Sequence, residues 1–158
     1  MPLASICSVM AKDKSQPFES ATIPIINDRA EIDAIREHLV QILERFGYGK
    51  SSAFAVRLAV EEALNNAFRH GHLNLPSDEP VTIQYNVCPD EVRIVVADGG
   101  PGFDPDAVPD PTLDQNLEIP SGRGLLLMRA YMQSVEFNAV GNVVQMIYRR
   151  PYNDAPDL

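Results

Sequence analysis

The apolar positions in the first part of the chain predict one strand followed by an amphipathic helix. A short strand is expected near 18–25. Asp28 can cap a helix in which apolar residues recur with the 3.6-residue period, so that one stripe of the helix is buried. Gly47 and Gly49 follow the last apolar position of that stripe and end the helix.

A second helix is expected from a cap at Ser51 or Ser52 to about His70, with Gly71 as its stop. One face of this helix carries an apolar row, which predicts that this face is buried, while the opposite face is polar. The row consists of Val56, Ala59, Val60, Ala63, Leu64 and Ala67.

The next segments alternate between apolar and polar residues, which is typical of strands. Residues 81–87 predict one strand, Pro89 and Asp90 a turn, and residues 92–97 a second, more buried strand. The two strands therefore form a hairpin that runs directly into Asp98.

A proline-rich stretch from 99 to 121 has neither a helical nor a strand period, and a loop this long inside a compact domain is usually functional or disordered. Gly122 then opens a helix that reaches about Met132. Strands are expected near 135–139 and 143–149, on either side of a turn at Gly141 and Asn142.

The order of these elements predicts an α+β fold. We expect a two-layer sandwich with a mixed, mostly antiparallel sheet and the helices on one of its faces. Residues 18–150 form the domain, while 1–17 are expected to be a flexible leader and 151–158 a flexible tail.

Composition excludes several classes of partner. The net charge is −9, from 13 Lys and Arg against 22 Asp and Glu, so nucleic acid and acidic membranes are repelled on average. No run of 18 apolar residues predicts a membrane span. Cys7 and Cys88 are too few and too far apart to suggest a disulfide framework, which favours a reducing, cytoplasmic location.

The polar face of the second helix carries two pairs of residues that could do chemistry. Glu62 and Asn66 are one turn apart, and Glu61 and Asn65 have the same spacing. Asparagine inside a helix costs up to about 0.7 kcal/mol relative to alanine, so another requirement favours it here. An amide oxygen suits Mg²⁺, and a neighbouring carboxylate can accept a proton. Spacing alone does not choose between the pairs, and a solvated polar stripe is the alternative.

Asp98 follows an apolar strand and precedes Gly100 and Gly102. A carboxylate at the end of a strand can accept a hydrogen bond from an exocyclic amine such as that of adenine. Glycines beside it allow the backbone to approach a flat ring closely. Taken alone, this sequence is also typical of an ordinary turn.

Gly122, Arg123 and Gly124 precede a predicted helix, where backbone N–H groups and the helix dipole favour an anion. Arg123 can add a contact to a phosphate group. A simple loop-to-helix hinge is the alternative reading.

Taken together, these motifs resemble the anti-sigma factor serine kinases, small bacterial members of the ATPase superfamily shared by gyrase, the Hsp90 chaperone, histidine kinases and MutL. Residues 58–71, LAVEEALNNAFRHG, resemble the N box of that superfamily. Residues 96–103, VADGGPGF, resemble its first glycine box, and residues 121–129, SGRGLLLMR, its second. The resemblance covers roughly 18–150 and implies a Bergerat-type ATP-binding fold.

The resemblance implies a role for each matched residue. It selects Asn66 as a Mg²⁺ ligand and Glu62 as the catalytic base, and it gives His70 a structural role. It implies that Asp98 binds adenine, and that residues from about 103 to 121 form a lid over ATP. The glycines matched to the surroundings of the base and the phosphates are Gly100, Gly102, Gly122 and Gly124.

The resemblance also implies a function. In that family the kinase transfers the γ-phosphoryl group of ATP to a serine of an anti-anti-sigma partner of the STAS type, or binds and silences a sigma factor. Homodimers are usual there. The alternative is a non-catalytic binding module in which ATP only switches the affinity for regulatory partners.

Overall fold

The structure, a computed structural model, describes residues 16–71, 75–108 and 123–154. These ranges contain five strands and three α-helices. In chain order they are β1 (Glu19–Ile25), α1 (Arg29–Arg45), α2 (Lys50–Asn66), β2 (Val81–Val87), β3 (Glu91–Ala97), α3 (Arg123–Tyr131), β4 (Ser134–Phe137) and β5 (Val143–Arg149). Each of the predicted strands and helices is present within a few residues of its expected bounds.

The five strands form one sheet in the order β1-β2-β3-β5-β4. Every pairing among these strands is antiparallel, so the parallel component of the expected mixed sheet is absent from the described part of the chain. The α+β prediction is confirmed. Because β5 pairs with β3, the last hairpin lies directly beside the strand that ends at Asp98.

One face of the sheet and one stripe of each helix make up the core. Residues alternate between buried and half-buried along β2 and β5, as expected for strands with one covered face. Leu39 and Leu43 of α1 and Val56 and Val60 of α2 are fully buried. The small residues of the α2 apolar row, such as Ala59, let this central helix lie close to its neighbours.

The first helix begins and ends as its sequence predicts. The Asp28 side chain accepts hydrogen bonds from the N–H groups of Ala30 and Glu31, which satisfies two donors that the helix leaves free. After Arg45 the chain leaves the helix through Gly47, whose φ of 77° is a left-handed conformation that favours glycine.

The start of α2 differs from the prediction of a serine cap. Its N-cap is Gly49, which has no side chain to bond the first turn. Ser51 is exposed. Ser52 is fully buried, and its hydroxyl lies 2.7 Å from the hydroxyl of Tyr148 on β5. The local sequence shows two serines where a cap is favoured, but tertiary packing uses one of them to join helix and sheet.

The end of α2 is a π-helical turn, Ala67–Gly71, that continues the helix to the predicted stop. Such turns insert an extra residue per turn and often occur at functional sites. Here the turn buries Phe68 and Gly71 while Arg69 and His70 remain exposed. The polar face of α2 therefore ends in a widened turn.

Residues 151–154, which the sequence predicts to be flexible, form an anchored turn. Asp154 accepts a hydrogen bond from the N–H of Gly49 at 3.0 Å and pairs with Arg150 at 3.6 Å. The Arg150 guanidinium also lies over the ring of Tyr48, 5.2 Å from its centroid. These contacts hold the end of β5 against the connection between α1 and α2.

Replacing Ser52 tests the link between α2 and β5. Ser52→Ala leaves the buried hydroxyl of Tyr148 without this partner, so it is expected to lower the free energy of unfolding by about 1–3 kcal/mol. Urea unfolding followed by circular dichroism measures the change.

The matched control is Ser51→Ala on the exposed side of the same turn. It is expected to change the stability by less than about 0.5 kcal/mol, since Ser51 does not cap the helix. A larger loss from Ser51→Ala than from Ser52→Ala would contradict this assignment.

Candidate functional site

A pocket opens where the end of α2, the end of β3 and the β4–β5 hairpin meet. Its empty volume is about 360 Å³. Predicted site residues from separate motifs border it: Asn66 from the helix, and Asp98 and Gly102 from the loop after β3. The remaining lining residues are Ala63, Ala67, His70, Gly71, Val96, Phe103, Met128, Phe137, Gly141, Asn142, Val143 and Val144.

Aromatic rings make this pocket narrow. Phe103 packs edge-on against Phe137, with ring centroids 5.2 Å apart, and lies 6.0 Å from the ring of His70. The enclosed part of the pocket has room for about one water. A purine therefore requires the lining side chains to move.

Asp98 is held by its own turn and by the end of α2. Its Oδ1 accepts the N–H of Gly100 at 2.8 Å, and its backbone N–H donates to the carbonyl oxygen of Asn142 at 2.9 Å. A Cβ on Gly71 would overlap the Asp98 carboxyl group, and a Cβ on Gly100 would overlap the backbone of Gly71. Two glycines thus permit the helix end and the strand end to touch.

The loop after Gly100 interlocks with the tip of the β4–β5 hairpin. Gly102 and Gly141 have φ of 77° and 83°. A Cβ on Gly102 would overlap the Val140 carbonyl oxygen, and a Cβ on Gly141 would overlap that of Phe103. The backbones are therefore in direct contact here, which fixes the loop at the mouth of the pocket.

The structure separates the two residue pairs that spacing left equivalent. Glu61 forms an ion pair with Arg36 of α1 at 2.9 Å, so its carboxylate is turned toward the neighbouring helix. Asn66 borders the pocket, whereas Asn65 does not. The geometry thus favours Asn66 over Asn65 at the pocket, while Glu62 is not among the residues that border it.

Glu62 lies against the first turn of α3. A Cβ on Gly124 would overlap Oε2 of Glu62, so the bare backbone of Gly124 makes room for the carboxylate. Burial raises the pKa of Glu62 above its ordinary value, and the nearby Glu61 raises it further, while Arg69 opposes both. Such a carboxyl group is a stronger proton acceptor once ionised than an exposed one.

Of the predicted residues around α3, Arg123 is the exposed first residue of the helix, and Gly122 lies outside the described residues. The part of the predicted lid beyond Val108 also lies outside them. Within the described part, Asp104 caps a short 3₁₀ turn, Pro105–Ala107.

The residues present fit a metal ion that is held mainly by the phosphate groups of a bound nucleotide. Among the described residues, no group of three or more His, Cys, Asp or Glu side chains could enclose an ion. Mg²⁺ needs no such group, because it commonly takes one or two protein oxygens and completes its shell with phosphate and water. Asn66 borders the pocket, and its side chain carries an amide oxygen of the kind that can serve as such a ligand.

Sequence reasoning missed several residues of this site. Gly71 belongs to the N-box match, but its contact with Asp98 gives no signal in the sequence, and Asn142 is predicted only as part of a turn. Phe103 ends the first glycine-box match, whereas Phe137 gives no local signal, since an aromatic residue in a strand is usually explained by the core. The spacing of Asn138 and Asn142 across a hairpin turn is the one pattern that suggests a polar network.

The family model of the histidine kinase-like ATPase domain matches residues 25–148, which includes every described residue of the pocket. The chain belongs to this family. Membership implies that this ATPase domain binds ATP. The family resemblance drawn from the three motifs is confirmed.

Curated relatives of this ATPase domain have regulatory names. The serine-protein kinase RsbW of Oceanobacillus iheyensis is 29% identical over 133 residues, which are 80% of this chain and 84% of the relative. An anti-sigma F factor of Clostridium perfringens is 32% identical over 83 residues, 51% of this chain and 59% of the relative.

A solved structure of the RsbU and RsbW domains of Rv1364c from Mycobacterium tuberculosis has the same fold, with a TM-score of 0.60 at 16% identity. The match covers 89% of this chain and 35% of the longer mycobacterial chain. Together with the antiparallel sheet, this likeness confirms the fold.

Two glycine-to-alanine variants are expected to behave differently. Gly100→Ala places a methyl group against the rigid backbone of Gly71, and overpacking of this kind lowers the free energy of unfolding by about 1–3 kcal/mol. Gly124→Ala meets only the end of the flexible Glu62 side chain, so the fold is retained and the carboxylate is displaced. Thermal unfolding of both variants measures the difference, and equal destabilisation would contradict it.

Proposed function

We propose that this chain is an anti-sigma factor and protein-serine kinase. It binds MgATP, phosphorylates a serine of a STAS-type anti-anti-sigma partner and sequesters a sigma factor. The observation that carries the proposal is the meeting of Asn66, Asp98 and Gly102 at one pocket, in a chain with relatives named as serine-protein kinases and anti-sigma factors.

Asp98 is the proposed recognition group for adenine. Its carboxylate borders the pocket and is oriented by the Gly100 N–H, which uses Oδ1. A carboxylate accepts a hydrogen bond from an exocyclic amine, so it suits the 6-amino group of adenine. Gly100 and Gly102 let the backbone approach the plane of the base.

The start of α3 and the end of α2 are the proposed phosphate end of the site. Gly122, Arg123 and Gly124 lie at or just before the first turn of α3, where an anion is favoured. Asn66 is the proposed Mg²⁺ ligand. The ion supplies charge compensation at the phosphates, which a chain with a net charge of −9 does not provide by itself.

Glu62 is the proposed catalytic base. It orients the serine hydroxyl of the partner and accepts its proton as the phosphoryl group is transferred. Burial and Glu61 raise the pKa of this carboxyl group toward neutral pH, and a base works best when its pKa is near the working pH. No covalent intermediate on the chain is required, since the attacking atom is the partner's hydroxyl oxygen.

The proposed partners are proteins. A STAS protein and a sigma factor follow from the resemblance, and so does a homodimer. Direct binding of nucleic acid is disfavoured by the net charge. In the described ranges no helix is both long and apolar enough to cross a membrane. We propose a cytoplasmic location.

Calorimetric titration with MgATP tests the nucleotide site, and phosphosite mapping of a STAS protein from the same cell tests the reaction. Stoichiometric phosphoserine on the STAS protein supports the kinase. Nucleotide-dependent complexes without phosphoserine would instead support the switching module. Absence of ATP binding would overturn both.

Glu62→Gln separates binding from transfer. The variant keeps the shape of the side chain but cannot accept the proton, so phosphorylation is expected to fall by about 10²–10⁴-fold while the affinity for MgATP changes little. The measurement is transfer of labelled phosphate to the STAS partner. Glu37→Gln, on the exposed face of α1, is the control and should retain wild-type transfer. Unchanged transfer in Glu62→Gln would remove this residue from the role of base.

Glu61→Gln is expected to shift the pH dependence of the kinase. Glu62 acts in its ionised form, so the rate falls as the pH drops through the pKa of Glu62. Removing the negative charge of Glu61 takes away one cause of the raised pKa of Glu62. It also breaks the ion pair between Glu61 and Arg36. The acidic limb of a kcat–pH profile should therefore move to lower pH. A profile identical to that of Glu37→Gln would contradict this expectation.

A further inference from the structure

We propose that Asn142, supported by Asn138, is a positioning residue for base recognition. These two amides hold the Asp98–Gly100 turn, which presents Asp98 to the exocyclic amine of adenine if the proposed function holds. Neither residue belongs to the three motifs that carry the family resemblance. Both lie at the tip of the β4–β5 hairpin, about 40 residues further along the chain than Asp98.

Asn138 organises the hairpin tip. Its Oδ1 accepts hydrogen bonds from the backbone N–H groups of Gly141, Asn142 and Val143, at 2.8, 3.0 and 3.2 Å. Three donors around one oxygen fix the orientation of this amide, because its NH₂ group would repel them. The Nδ2 of Asn138 then donates to Oδ1 of Asn142 at 2.8 Å.

This bond in turn fixes the amide of Asn142. With Oδ1 engaged by Asn138, the Nδ2 of Asn142 donates to the carbonyl oxygen of Gly100 at 3.0 Å. The backbone of Asn142 acts at the other end of the same turn, where its carbonyl oxygen accepts the N–H of Asp98 at 2.9 Å. One residue therefore holds the turn at Asp98 and at Gly100.

The turn is the element that orients the carboxylate. Within it, the N–H of Gly100 donates to Oδ1 of Asp98 at 2.8 Å, so displacement of Gly100 also displaces that oxygen. The chain of hydrogen bonds runs from Asn138 through Asn142 to Gly100 and ends on Asp98. Recognition by one hydrogen bond needs its acceptor within about 0.5 Å of the required position.

The arrangement assigns different effects to the two ends of the site. Asn142 borders the pocket, while Asn138 does not, so Asn138 acts through the hairpin residues that it holds, Asn142 among them. Gly124 in the first turn of α3 lies against Glu62, a different side chain from those that hold this turn. Loosening the turn should therefore weaken recognition of the amine more than binding of the phosphates.

The test compares two ligands by calorimetry on the full chain: MgATP, and the Mg²⁺ complex of purine riboside triphosphate, which lacks the exocyclic amine. The wild-type chain is expected to prefer ATP. In Asn142→Ala this preference should fall by about tenfold or more, the effect of one hydrogen bond to a charged group. Asn138→Asp keeps the acceptor for the three N–H groups but removes the donor to Asn142, so the preference should fall there too.

Asn86→Ala is the matched control, since Asn86 pairs with Arg93 on β3, toward the end of the sheet away from Asp98. Thermal unfolding identifies any variant that does not fold, and in that case Asn138→Asp, which preserves side-chain size, carries the test. An unchanged ligand preference, or an equal loss of affinity for both ligands, would overturn the positioning role. Failure of the wild-type chain to bind either nucleotide would overturn the proposed function instead.

Discussion

The site depends on a contact between two pieces of backbone, Gly71 at the end of the second helix and the Asp98–Gly100 turn at the end of the third strand. Side chains at Gly71 or Gly100 would overlap groups of the other segment. Only this close approach places Asn66 of the helix and Asp98 of the strand on one narrow pocket. The small residues of the buried helix face, such as Ala63, allow the helix to lie near enough to the sheet for the contact to form.

Charge is arranged locally because the chain as a whole is acidic. Arg36 pairs with Glu61 from the neighbouring helix, while Glu62 is the carboxylate that lies against α3. Burial raises the pKa of Glu62, while the start of α3 offers backbone N–H groups and the helix dipole to an anion. The same short helix thus bounds the proposed base and the proposed phosphate end.

The last hairpin has a larger role than its short strands suggest. Its tip contacts the loop after β3 through Gly102 and Gly141, and it holds the Asp98 turn through Asn142. These contacts join residues about 40 positions apart, so they form only when β5 pairs with β3. The aromatic contact between Phe103 and Phe137 narrows the pocket beside this tip.

The sequence by itself determined the elements and the family. Periodicity located each helix and strand, because one buried face imposes period 3.6 or 2 on the residues. Three motifs carried the resemblance to the ATPase superfamily. Tertiary structure alone decided that Ser52 bonds Tyr148 instead of capping a helix, and that Glu61 pairs with Arg36. It also decided that Asn142 forms hydrogen bonds to the turn that contains Asp98. Those choices join residues remote in the chain, and local spacing contains no information on which distant group a polar side chain will meet.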